Sequence, residues 1–211
     1  MNEPWLAYKN ISREQWSEVR SSMIFEHHKW DPRIGDIEVL ADFAIIIHEQ
    51  AWRELASIAE KLSAEIFAAE GELRCRPEFF KQLGLSWKLR WALRGAAKKP
   101  VIGAARQIRF DFHWTTGGWM ISEANTDVPG GYSEAGALSR LMQQYYSNAE
   151  VIGEPAKLLC EKFSAAIDKN TSVGLVHASA YTDDRQVMMY IAKELQKLQI
   201  RAELLSPDQI E

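Results

Sequence analysis

An α/β (α+β) architecture follows from three stretches of the 211-residue sequence. Residues 1–100 carry apolar side chains at helical spacing. Residues 107–125 hold two alternating polar/apolar runs about a glycine-rich turn, and residues 172–205 read as strand, helix, strand. The expected organisation is a helical region over 1–100, a hairpin with a loop and helix over 101–150, and a small parallel βαβ layer over 151–211.

Ser12 followed by Gln15 is a capping-box pattern that opens a helix through Trp16, Val19, Met23 and Ile24. A long helix is predicted from about Ile37 to Ala69, because Leu40, Phe43, Ile47, Ala51, Leu55, Ile58, Leu62 and Ile66 recur every three or four residues. Gly71 suits its C-terminus. A third helical stretch spans Arg76 to Arg94, broken near Gly84, and Gly95 and Pro100 punctuate the chain. From about Val101 the texture changes. Gln107–Trp114 and Trp119–Asn125 read as strands around Thr115-Thr116-Gly117-Gly118. After a loop to Tyr132, Ser133 is placed to cap a helix reaching about Tyr146, and another helix covers about Pro155–Ile167. Ser172–His177, Asp183–Leu198 and Arg201–Leu205 form the βαβ unit. Two parallel strands make a poor sheet by themselves, so this layer is expected to be truncated.

Composition narrows the function classes. Hydrophobic residues make up 46%, charged residues 26%, and the net charge is -4. This is the profile of an ordinary globular protein, with no basic stripe to suggest nucleic acid. Lys98 and Lys99 form a short basic patch beside Pro100. No apolar run is long enough to span a bilayer, and the N-terminus lacks a signal-peptide pattern. Cys75 and Cys160 are isolated from each other and from any ligand spacing, which argues against zinc and for a reduced, cytoplasmic setting. Eight tryptophans suggest large core and inter-helix anchors, or an aromatic-lined pocket.

The hairpin carries the chemistry. Strand alternation puts Arg109, Asp111 and His113 on one face, and Trp119, Ile121, Glu123 and Asn125 on one face of the second strand. A three-residue connection, Thr116-Gly117-Gly118, would set Asp111 opposite Glu123 and Arg109 opposite Asn125. Two ionised carboxylates roughly 5 Å apart repel, and a shared proton, Arg109 or a bound cation would relieve them. Asn125 adds a neutral oxygen, which completes a hard-oxygen set suited to Mg²⁺, and Arg109 offers forked donors to a phosphoryl group. A two-residue connection would set Asp111 opposite Ser122 and split this set between faces. A surface hairpin with a cross-strand Arg–carboxylate pair is the plainer alternative.

The stretch Arg109-Phe-Asp-Phe-His-Trp, with Gly118-Trp-Met-Ile-Ser-Glu-Ala-Asn-Thr-Asp-Val-Pro, resembles the glutathionylspermidine synthase family of circularly permuted ATP-grasp ligases. The match includes the spacing from Asp111 to Glu123 and Asn125. The resemblance implies magnesium on Asp111, Glu123 and Asn125, and Arg109 on the transferred phosphate of ATP. It implies substrate contacts from the loop and helix start at Asp127, Gly130, Gly131, Ser133 and Glu134. The implied reaction is an ATP-dependent carbon–nitrogen ligation through an acyl phosphate, joining a small-molecule carboxylate and an amine, with no nucleic acid or membrane as partner. This loop departs from the family, with Gly130-Gly131 where hydroxyl side chains are usual, so the substrate is expected to differ from glutathione. The family's nucleotide-binding lysines follow later than residue 211, so the ATP site is incomplete in this sequence. A non-catalytic α/β module that binds a small anion or a protein partner is the rival reading. His177, at the end of a parallel strand and followed by Asp183 and Asp184, is in that reading a ligand position or part of a capped turn.

Overall fold

The computed structural model describes residues 3–96, 106–127, 129–168 and 171–210; Lys98, Lys99, Pro100 and the boundary at Val101 lie outside these. The chain divides into two compact units. An α/β unit comprises Asn2–Ile47, Ala105–Arg109 and Asn125–Glu211, and a helical unit comprises His48–Ala104 and Phe110–Ala124.

The α/β unit begins with strand β1 (Trp5–Ala7) and helix α1 (Arg13–Phe25). The capping box forms as the sequence predicts: Ser12 Oγ accepts from Gln15 N–H and Gln15 Oε1 accepts from Ser12 N–H. Val19 and Met23, one turn apart, are the buried face of α1. The next segment differs from expectation. Residues 33–47 hold strands β2 (Arg33–Ile34), β3 (Ile37–Glu38) and β4 (Ile45–Ile47). Gly35, at φ +60°, turns β2 back on β3, and β4 pairs antiparallel with β1. The apolar spacing there suited a helix, but three consecutive β-branched isoleucines favour the pleated state once a partner strand exists.

The helical unit contains α2 (Glu49–Cys75), α3 (Phe79–Gln82) and α4 (Trp87–Ala96). Helix α2 starts later than predicted and runs through Gly71, a glycine that an exposed helix tolerates at roughly 1 kcal/mol. Gly84, at φ +73°, breaks the chain between α3 and α4 where expected. Strands β5 (Arg109–Thr115) and β6 (Gly118–Asn125) form the hairpin, most of which belongs to this unit.

The rest of the α/β unit holds a π-helical turn at Glu134–Leu138 that runs into α5 (Ser139–Gln143), then α6 (Pro155–Ala166), β7 (Val173–Val176), α7 (Thr182–Lys197) and β8 (Ala202–Leu205). Strands β7 and β8 pair in parallel, from Val173–Ala202 to Val176–Leu205. The core gathers Met23, Tyr132, Ala137, Met142, Cys160, Tyr190 and Leu195. Tyr146 ties it to the N-terminal strands, since its hydroxyl donates to Lys9 O and accepts from Ala44 N–H. Trp16 packs against this core as a partly buried neighbour, whereas Trp30, Trp52, Trp87 and Trp91 are exposed; among the described residues the aromatic side chains fully within the core are tyrosines.

One residue sets the approach of the π turn to α7. A Cβ on Gly136 would stand 2.7 Å from the Tyr190 hydroxyl. Gly136→Ala should therefore destabilise the protein by about 1–3 kcal/mol. Adding Tyr190→Phe, which removes the clashing oxygen, should recover part of that loss in a chemical-denaturation double-mutant cycle; strictly additive losses would count against this contact.

Candidate functional site

A cavity of about 190 Å³ lies within the α/β unit. Its wall is built from three separate pieces of chain: Lys29 and Asp31 after α1, the loop and π-turn residues Gly130–Glu134, and Asp183, Gln186, Val187 and Tyr190 on α7. Four of the residues to which the resemblance gives substrate contacts, Gly130, Gly131, Ser133 and Glu134, line it. Asp127 does not; its backbone N–H donates to Asn125 Oδ1 at 3.2 Å in an exposed turn. Gly131 adopts φ +87°, a left-handed conformation that a side chain would strain, and with no Cβ the loop leaves open space at the cavity's edge.

A buried cation organises the floor. Lys29, whose side chain is 12% exposed, reaches Asp31 at 3.0 Å and Glu134 at 2.8 Å. Burial works to lower the Lys29 pKa, but the hydrogen bonds that its ammonium donates to Glu134 and Asp31 prevail and raise it. Burial likewise works to raise the Asp31 pKa, and hydrogen bonds from Lys29 and Gln186 overcome it and hold the carboxyl below its usual range. Gln186 is itself buried. Its Oε1 accepts from Trp30 N–H at 2.7 Å and its Nε2 donates to Asp183 Oδ1 at 3.4 Å, so one amide joins the 29–31 segment to α7. Ser133, predicted as a helix cap, instead has helical backbone angles and donates its hydroxyl to Glu134 Oε2. The cavity thus offers one cation, already held by two carboxylates, against the three acids Asp31, Glu134 and Asp183.

Lys29, Asp31 and Gln186 carried no sequence signal. Lys29 and Asp31 stand far from the motif and from α7 in sequence, and the capped turn at Asp183 reads as ordinary without them. His177, the other ligand candidate, lies at the C-terminal end of β7, where its N–H donates to Leu205 O and its Nδ1 stands 3.1 Å from Ala178 O. His27 and His28 behave as packing residues. His27 lies 6.2 Å from the Tyr190 ring, and burial, with Lys193 and Arg140 nearby, lowers its pKa to about 4. Cys160 is buried, and burial pushes its thiol up to about 11, which leaves it unreactive.

The hairpin has its own geometry. The strands end at Thr115 and Gly118, so Thr116-Gly117 connect them. Thr115 Oγ1 closes the turn, accepting from Gly117 N–H and donating to Gly118 O. Gly118 takes φ +94°, a left-handed conformation that glycine adopts without strain. Yet Ser122 Oγ stands 2.7 Å from His113 Nε2 and donates to Asp111 O at 3.2 Å. Both Ser122 contacts fit the two-residue connection, with Ser122 against Asp111. Asp111 and Asn125 are half-buried, and Arg109 and Glu123 are exposed. Among the described residues, no three His, Cys, Asp or Glu side chains gather to hold a metal. The motif supplies two carboxylates and relies on the Asn125 amide for its third oxygen. That amide oxygen has a second lone pair beyond its bond to Asp127, and the donor set fits magnesium in kind.

No protein-family model matches the sequence, and no curated protein matches it. Among solved structures, a glutathione synthetase like-effector from Globodera pallida, in apoform, matches with a TM-score of 0.51 at 14% identity. The match covers 94% of this chain and 52% of that one, so the chain spans about half the length of the structure it resembles. What is shared is the fold: a mixed α/β architecture of several helices with small antiparallel and parallel sheets, of glutathione synthetase-like kind. No described helix is long and apolar enough to cross a membrane.

Two acid-side measurements test the electrostatics. Asp31 has a depressed pKa, so the stability it draws from Lys29 is present above the ordinary carboxylate pKa of about 4 and is lost as pH falls through the folded value. Lys29→Met should therefore cost stability at neutral pH, with the difference from wild type shrinking below about pH 4; a gap independent of pH would mean that Lys29 only packs. His27 is held neutral, so the unfolded chain binds more protons below about pH 6.5 and stability should decline from there towards pH 4. His27→Gln should flatten that slope, which urea unfolding across the range would reveal.

Proposed function

We propose that the chain is part of an ATP-dependent carboxylate–amine ligase and that the cavity of the α/β unit receives a small-molecule substrate. The observation that carries this reading is that Gly130, Gly131, Ser133 and Glu134, the positions given to substrate by the motif, line one cavity together with Lys29, Asp31 and Asp183. The likeness to a glutathione synthetase like-effector supports the fold such a reading needs. The excess of carboxylates favours a ligand with an ammonium group, which Asp183 and Glu134 would meet through charge-assisted hydrogen bonds. The absence of side chains at Gly130 and Gly131 leaves room where hydroxyls would otherwise contact a peptide.

In this reading Asp111, Glu123 and Asn125 hold magnesium, and Arg109 holds the phosphoryl group as it leaves ATP. Magnesium would supply charge neutralisation at that phosphate. The arrangement requires Glu123 to come to the side of the hairpin that carries Asp111. Specificity in the narrower sense, towards a glutathionylspermidine synthase-like reaction, rests on the motif from Arg109 to Pro129.

The test is Mg²⁺-dependent phosphate release from ATP with panels of small carboxylates and amines. It is run on this chain and on any longer product of the same coding region. Turnover is expected with one acceptor pair, and Asp183→Asn should raise KM for the amine by about tenfold with little change in kcat. Asp111→Asn and Glu123→Gln should each weaken Mg²⁺ dependence; a loss from Asp111→Asn alone would refute the shared cation. Absence of turnover in every form would sink the ligase reading and leave the anion- or partner-binding module.

A further inference from the structure

Helix α4 presents a face that nothing in the ligase reading uses. Trp87 and Trp91, one turn apart, are 69% and 76% exposed. A tryptophan normally buries much of its area, so two on one turn in water form an unusual apolar patch. Lys88 and Arg94 are exposed beside them, and Lys88 Nζ lies 6.0 Å from the Trp87 ring. Leu93 is half-buried and Leu89 is 46% exposed, so the two tryptophans are the most exposed large apolar side chains of α4.

The surrounding charge identifies what this face meets. From Phe79 to Ala96, the stretch that holds α4, the sequence has four Lys or Arg and no Asp or Glu, in a protein whose net charge is -4. Twenty-one bases against twenty-nine acids remain elsewhere. A partner must therefore be anionic and must also accept two indole rings. Duplex nucleic acid satisfies the first condition and offers little to the second. A lipid bilayer with anionic headgroups satisfies both, since indole rings settle at the headgroup level while lysine and arginine reach the phosphates.

We propose that α4 docks on an anionic lipid surface, with Trp87 and Trp91 inserted at the headgroup boundary and Lys88 and Arg94 contacting acidic headgroups. The helix lies in the interface and crosses nothing, which agrees with the absence of a membrane-spanning helix among the described residues. The protein is then peripheral, held by two indoles and local positive charge.

Co-sedimentation of the full chain with vesicles tests this, using phosphatidylcholine alone and phosphatidylcholine with about one-third phosphatidylserine. Binding should be at least about tenfold tighter to the anionic vesicles and should weaken with salt. The double variant Trp87→Ser with Trp91→Ser should lose about tenfold or more, with an unchanged thermal melt because both side chains are exposed. Lys88→Glu with Arg94→Glu should abolish the preference for anionic vesicles, and it keeps the test decisive if the tryptophan variant folds poorly. No binding to either vesicle, equal binding to both, or anionic binding that ignores the tryptophans would overturn the proposal. Retention on duplex DNA as tight as on vesicles, and indifferent to both tryptophans, would reassign the face to a polyanion.

Discussion

The ammonium of Lys29 is the constraint on which the α/β unit's site depends. A charge taken largely out of water is tolerated only when it is paired and hydrogen-bonded. Asp31 and Glu134 both meet that demand from different parts of the chain, so the segment after α1 is bound to the start of the π turn. Gln186 adds a neutral link from the same segment to α7 through Trp30 N–H. The three walls of the cavity are therefore held by polar contacts: loss of the ionic ones would leave uncompensated charge, and loss of the amide link would leave a half-buried backbone N–H without its acceptor.

The π turn serves the same closure. An ordinary α-helix starting at Ser133 would present a different set of side chains to α7. The wider turn brings Gly136 against Tyr190, and only glycine permits that approach. The Tyr190 hydroxyl in turn lies 3.4 Å from Arg140 Nη2, and Arg140 is ion-paired with Glu154 at the start of α6. Burial raises the Tyr190 pKa, so the ring keeps its proton and stays a neutral part of the wall.

Much of this was legible in the sequence wherever the signal was local. The Ser12–Gln15 capping box, the break at Gly84, the hairpin and the βαβ unit were each written in adjacent residues, and each formed. The strands at 33–47 were not legible, because their pairing with Trp5–Ala7 is non-local and their apolar spacing also fits a helix. Composition left two hairpin connections equal, and only the cross-strand contacts of Ser122 favour the shorter one. The site divided in the same way. The loop from Gly130 to Glu134, which the motif singles out, lines the cavity, while Lys29, Asp31 and Gln186 enter it through contacts across the fold. A lysine in the loop after a helix looks like any solvated charge until its carboxylates are placed beside it.

Averages hid the remaining feature. A net charge of -4 suggests a protein repelled by acidic surfaces, and that inference would hold if the charges were mixed evenly. Electrostatic attraction at physiological salt is felt over roughly 8 Å, so the charge within that reach decides, and the sum over the chain does not. Along α4 itself the charged side chains, Lys88, Arg90 and Arg94, are all positive. The helical unit also differs in how it is stabilised: α2 has no fully buried residue and carries exposed ion pairs at four-residue spacing, Glu49 with Arg53 and Glu72 with Arg76. Such pairs add only a few tenths of a kcal/mol each, so α2 draws on the half-burial of its apolar stripe. A unit with so modest a core gains more than a well-buried one from any surface that covers Trp87 and Trp91, because that contact would remove apolar area which folding leaves in water. The exposed tryptophans are therefore better understood as area reserved for association than as failures of packing.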